Sequence, residues 1–78
     1  MTKLSCAKKG TCYKFVSTSC DALLEHRLLE MGFVPGEDIT VVTNTGAKGT
    51  VMVKVKDSKI ALSNKIAETI LVKEKKDE

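Results

Sequence analysis

Four side chains in the first third of this 78-residue chain, Cys6, Cys12, Cys20 and His26, could do chemistry together, because thiols and imidazole are the donors that tetrahedral zinc takes. Their spacing argues against that use. Structural zinc sites bring ligands in close pairs such as Cys-x-x-Cys, whereas the successive gaps here are six, eight and six residues. Small thiols serve equally well as core fillers, and three cysteines do not make a closed disulfide framework. The four residues are candidates for a metal site, and the reading without metal or cofactor is preferred. His26 alone reads as a surface residue. Catalytic sets are equally thin: no Ser/His/Asp group or carboxylate pair has supporting sequence around it. Gly46-Ala47-Lys48-Gly49 lacks the strand-loop-helix context of a phosphate loop, so it reads as a hairpin connection. The chain is expected not to be an enzyme.

The elements that would position any site hinge on Arg27-Leu28-Leu29-Glu30-Met31-Gly32-Phe33-Val34-Pro35-Gly36. Gly32 follows an apolar-periodic segment, where a left-handed residue ends a helix at little steric cost. With Met31 as C-cap, Phe33 falls where a Schellman motif places its apolar contact, over Leu28. Val34-Pro35-Gly36-Glu37 then has the pattern of a type II turn, with Pro presetting φ and Gly supplying positive φ. Gly32, Pro35 and Gly36 are thus a structural hinge. Upstream, Ser17-Thr18-Ser19 offers caps, Thr18-x-x-Asp21 approximates a capping box, and a helix is expected to start between Ser19 and Asp21. Leu24, Leu28 and Met31 share the sector expected to face the core, while Leu23 and Leu29 lie on opposite flanks.

Strands are expected at Thr11–Val16, Asp38–Thr43, Thr50–Val55, Lys59–Leu62 and Thr69–Val72, with a capped single turn at Ser63–Glu68 before the last. Asp57-Ser58 is read as the turn between the third and fourth. Alternation in Thr11–Val16 leaves open which face points inward. Five short strands with one inserted helix suit a small barrel, mainly β, with an aliphatic core, since aromatics are 4% of the chain. Residues 1–73 are read as one domain and residues 74–78 as a charged, frayed tail.

Charge is balanced along the chain. Residues 1–35 hold five Lys/Arg and three Asp/Glu, and residues 36–78 hold eight and seven, so no basic block emerges. No apolar run reaches bilayer length, no membrane insertion is expected, and a cytoplasmic setting is the simplest reading.

The block Arg27 to Gly36, the strands after it and the ending Ile60-Ala61-Leu62-Ser63-Asn64-Lys65-Ile66-Ala67-Glu68-Thr69-Ile70-Leu71-Val72 resemble the FeoA family over almost the whole chain. The resemblance implies an SH3-like barrel, here of five strands. It also implies a cytosolic, non-enzymatic accessory protein of bacterial ferrous iron uptake that contacts the membrane ferrous iron transporter carrying a cytoplasmic G domain. Two features depart from the family: the loop Asn44 to Gly49 is more polar than its usual counterpart, and three cysteines crowd the N-terminal third.

On this reading Leu23, Arg27 and Leu29 are candidates for partner binding. Leu23 and Leu29 read either as an exposed apolar patch or as a plug for the mouth of the barrel, with the plug preferred. Arg27 would meet an acidic surface or bond Glu30 or Asp21 along the helix. A weak homodimer through an exposed strand or leucine patch is a further expectation. Two alternatives stand behind the protein-contact reading. One is a small metal-binding module using the cysteines for zinc or iron. The other is a nucleic-acid-binding barrel, which is disfavoured: only Tyr13, Phe15 and Phe33 could stack bases, and acidic residues interrupt every basic run, so no nucleic-acid partner is expected.

Overall fold

Alternation decides which way each strand faces, and the computed structural model, which describes residues 1–46 and 49–75, shows the outcome. The elements run β1 (Thr2–Lys3), a 3-10 turn (Leu4–Cys6), β2 (Cys12–Thr18), α1 (Ala22–Glu30), β3 (Asp38–Asn44), β4 (Thr50–Val55), β5 (Ser58–Ser63), α2 (Asn64–Ala67) and β6 (Ile70–Glu74). Tyr13 and Phe15 of β2, Ile39 and Val41 of β3, and Val51, Val53 and Val55 of β4 are all buried. The ambiguity in β2 is thereby resolved: its aromatic face is the inner one. Leu4 and Val72 complete the same core from the two ends of the chain.

Among the described residues the strands form one antiparallel sheet in the order β1-β6-β2-β3-β4-β5. The expectation of five strands is corrected to six. Thr2–Lys3 is too short to carry an alternation signal, and its partners Val72 and Leu71 come from the far end of the chain. Closure is corrected as well: β5 pairs with β4 alone and β1 with β6 alone, so the sheet keeps two edges. Register shifts between Phe15 and Ser17 and between Val41 and Thr43 mark bulges, which bend strands and increase their twist.

The hinge forms as its residues require. Gly32 has φ 107°, its N–H donates to Leu29 O at 3.1 Å, and the Phe33 N–H donates to Leu28 O at 3.0 Å. That pair of bonds is the Schellman motif. Gly36 has φ 88° and the Glu37 N–H donates to Val34 O at 3.0 Å, which closes the turn over Pro35. The β4–β5 turn lies one residue earlier than expected, at Lys56-Asp57, because Lys56 itself takes a positive φ of 56°.

β6 runs to Glu74, one residue into the segment read as a tail, and Lys75 Nζ reaches Asp38 Oδ2 at 2.8 Å. The rest of that segment, residues 76–78, lies outside the described residues, as do Ala47 and Lys48 of the polar loop.

Candidate functional site

Helix α1 begins on Asp21, whose carboxylate accepts from the Leu24 N–H at 2.9 Å, so Asp21 is the cap and the Ser17-Thr18-Ser19 cluster is not. Thr18 and Ser19 are used elsewhere. The Thr18 hydroxyl lies 3.2 Å from that of Thr69, and the Ser19 N–H donates to Thr69 O at 2.8 Å, tying the entry of the helix to the start of β6.

Of the nine residues in α1, only Leu28 is buried. Leu24 is half-buried against the core, but Met31, expected to face inward with Leu28, is 39% exposed. The Schellman turn explains the difference: Met31 is the C-cap, and Phe33, 1% exposed, takes the inward position after the chain reverses. Leu23 is 68% and Leu29 48% exposed. Neither plugs the barrel, which corrects the preferred reading of the two leucines.

A groove lies on each side of α1. One, of about 440 Å³, runs between the helix and β2 and is lined by Leu29, His26, Ala22, Phe15, Phe33 and Pro35 among others. The other, of about 540 Å³, runs between the helix and β5 and includes Leu24, Arg27, Met31, Ile60, Leu62 and Ile66. Leu28 lines both, as the anchor on which the helix stands. Among the described residues the Arg27 side chain forms no ion pair or hydrogen bond. Glu30 instead lies 3.8 Å from His26 Nε2. The surface around α1 therefore offers exposed aliphatic groups, one guanidinium and two grooves.

The four candidate metal ligands are not gathered. Among the described residues no three His, Cys, Asp or Glu side chains are placed to share an ion. Cys6 is exposed on the 3-10 turn, and Cys12 lies on β2 with its sulfur 4.0 Å from Tyr13 O. The Cys20 sulfur accepts from the Thr18 hydroxyl at 3.1 Å and packs against the core. His26 sits on the exposed flank of α1. The three aromatic residues that would stack bases, Tyr13, Phe15 and Phe33, are all buried, so they are closed to a nucleic acid. Helices long and apolar enough to cross a membrane are absent among the described residues.

Two features were missed by linear reading. One is the exposure of Met31, which periodicity assigned to the core. The other is Asp38, which accepts from Lys14 Nζ at 3.2 Å as well as from Lys75. The hydrogen bond from Lys75, with that from Lys14 next, holds its carboxyl below the usual aspartate range. The signal for that cluster was positional: Lys14 and Asp38 stand opposite each other on β2 and β3.

Comparison with known proteins gives a family and a fold. The family model described as FeoA domain matches residues 2–74. The chain is similar to the solution structure of the FeoA protein from Chlorobium tepidum, with a TM-score of 0.85 at 23% identity, over 94% of this chain and 70% of that one. It is similar to iron(II) transport protein A from Clostridium thermocellum, with a TM-score of 0.83 at 29% identity, covering 94% of this chain and 45% of that one. The crystal structure of FeoA from Stenotrophomonas maltophilia complexed with zinc, described as a procaryotic SH3 domain protein, matches with a TM-score of 0.79 at 25% identity, over 92% of this chain and 89% of that one. The fold is thus SH3-like. No curated protein matches the chain.

Proposed function

This chain belongs to the FeoA domain family, associated with ferrous iron transport, and we propose that it is a non-catalytic, cytoplasmic accessory protein of bacterial ferrous iron uptake. It works by protein contact with the membrane ferrous iron transporter that carries a cytoplasmic G domain. The observation that carries this reading is the exposure of Leu23 and Leu29 on a helix that buries only Leu28. Large apolar side chains left in water on a short helix gain free energy when a partner covers them, at roughly 25 cal/mol per Å². Arg27 stands between them in sequence and supplies a charge-assisted donor at the rim. The Stenotrophomonas maltophilia protein has been suggested to act as a bacterial ferrous iron transport activating factor, which agrees with an accessory role.

Titration of the purified protein against the transporter's cytoplasmic domain, with the membrane-spanning part also present, is expected to show saturable association. A flat titration removes the reading.

A further inference from the structure

Among the described residues, the positive charge in excess of the acidic groups is concentrated on one surface. Residues directly opposite on antiparallel strands share a face, and residues two apart on one strand do too. The registers Lys14↔Lys73, Lys14↔Asp38, Cys12↔Thr40, Thr40↔Lys54 and Lys54↔Lys59 therefore trace one outer face across β6, β2, β3, β4 and β5. Lys3, opposite Leu71, extends it onto β1. Lys75 reaches the same face through Asp38. Among the described residues, which include 11 Lys/Arg and 8 Asp/Glu, the charged groups placed there are six lysines and one aspartate. The other described residues hold five basic and seven acidic side chains, so among the described residues the positive excess arises on this face.

Two like-charge pairs stand directly opposite on it, Lys54 with Lys59 and Lys14 with Lys73. Such pairs destabilise a sheet, whereas opposite charges at the same positions would support it. Among the described residues the side chains of Lys54, Lys59 and Lys73 make no ion pair or hydrogen bond. The repulsion between Lys54 and Lys59 is left standing, whereas Lys14 is compensated by Asp38 at 3.2 Å.

We propose that this outer face docks an extended acidic segment of a protein partner. The lysines form a belt that crosses the strands and follows the bend of the sheet, with neighbouring strands about 4.8 Å apart. A single extended chain of carboxylates can follow such a curved, narrow row, while a flat anionic membrane meets only part of it. A nucleic acid is the poorer fit: the face offers lysine point charges with no arginine fork and, among the described residues, no exposed aromatic ring. This surface is separate from the flank of α1, and the inference does not depend on the identity of the transporter.

The test uses the full chain, labelled for NMR, with three probes: a ten-residue glutamate–serine peptide, phosphatidylcholine–phosphatidylglycerol vesicles, and a single-stranded oligonucleotide. The peptide is expected to shift the amides of Lys14, Lys54, Lys59 and Lys73, and to release at about 1 M salt, where the screening length is about 3 Å. Lys59→Glu is expected to raise the melting temperature by relieving the pair with Lys54, yet to weaken the peptide by about fivefold, the scale of an exposed ion pair. A merely structural lysine would move both quantities together. Peptide shifts that fall elsewhere, an unchanged affinity in Lys59→Glu, or tighter capture by the vesicles or the oligonucleotide would each overturn the proposal.

Discussion

Among the described residues, the two α-helices reverse the usual relation between length and burial. Helix α2 has four residues and buries two of them, Asn64 and Ala67, whereas α1 has nine and buries one. A single turn such as α2 has no stability of its own, so it exists because its side chains are held in the core and Ser63 caps it, accepting from the Ile66 N–H at 3.3 Å. Helix α1 is also too short to be stable alone, yet it rests on one inward leucine, a capping aspartate and a glycine stop. Helix α1 therefore carries more apolar surface than its attachment uses. What holds it down and what it displays are different residues.

The largest effect that would break this contrast is at the anchor. Leu28→Ala removes the one buried side chain of α1 and is expected to lower stability by about 2–5 kcal/mol in chemical denaturation, the range for truncating a core leucine. A cost below about 1 kcal/mol would mean that α1 is held by something other than Leu28.

Gly32→Ala comes next. A Cβ there would meet Val55 Cγ1 at 3.0 Å on a backbone with φ 107°, so both the conformation and the contact resist it. The expected loss is about 1–3 kcal/mol, read as a lowered melting temperature. Gly36→Ala has the same backbone problem at φ 88° and meets no atom within 4 Å, so it should lose less and sharpens the assignment of Gly32 as a packing position.

A smaller effect is expected on the sheet face. The folded-state pKa of Asp38 is lowered, chiefly by the bond from Lys75 and then by that from Lys14. A depressed carboxyl contributes stability that is present above its unfolded pKa and is lost as pH falls through the folded value. Stability of the wild type should therefore decline below about pH 4 more than that of Asp38→Asn. Parallel acid limbs in the two proteins would show that the lysines do not hold the carboxylate.

Most of the scaffold was readable because it is written locally. Gly32, Pro35 and Gly36 each answer a backbone requirement within four residues, and Val51, Val53 and Val55 recur at every second position. What escaped depends on distant partners or on the protein's third dimension. Thr2–Lys3 becomes a strand only because Leu71 and Val72 lie beside it. Lys56 takes a left-handed turn position that its type does not advertise. Met31 fits the apolar period of the helix but sits at the cap, where the chain is already turning and Phe33 takes its place. The basic face escaped because its lysines alternate with apolar residues on separate strands, so no linear run reveals them.

The most direct test of the central claim, that α1 is anchored by one leucine so that its flanks can meet a partner, is the double variant Leu23→Ser with Leu29→Ser, measured for unfolding and for transporter association in parallel. Stability is expected to stay within about 0.5 kcal/mol of the wild type, as for surface positions, while association is lost. A destabilised protein that still binds the transporter would contradict it.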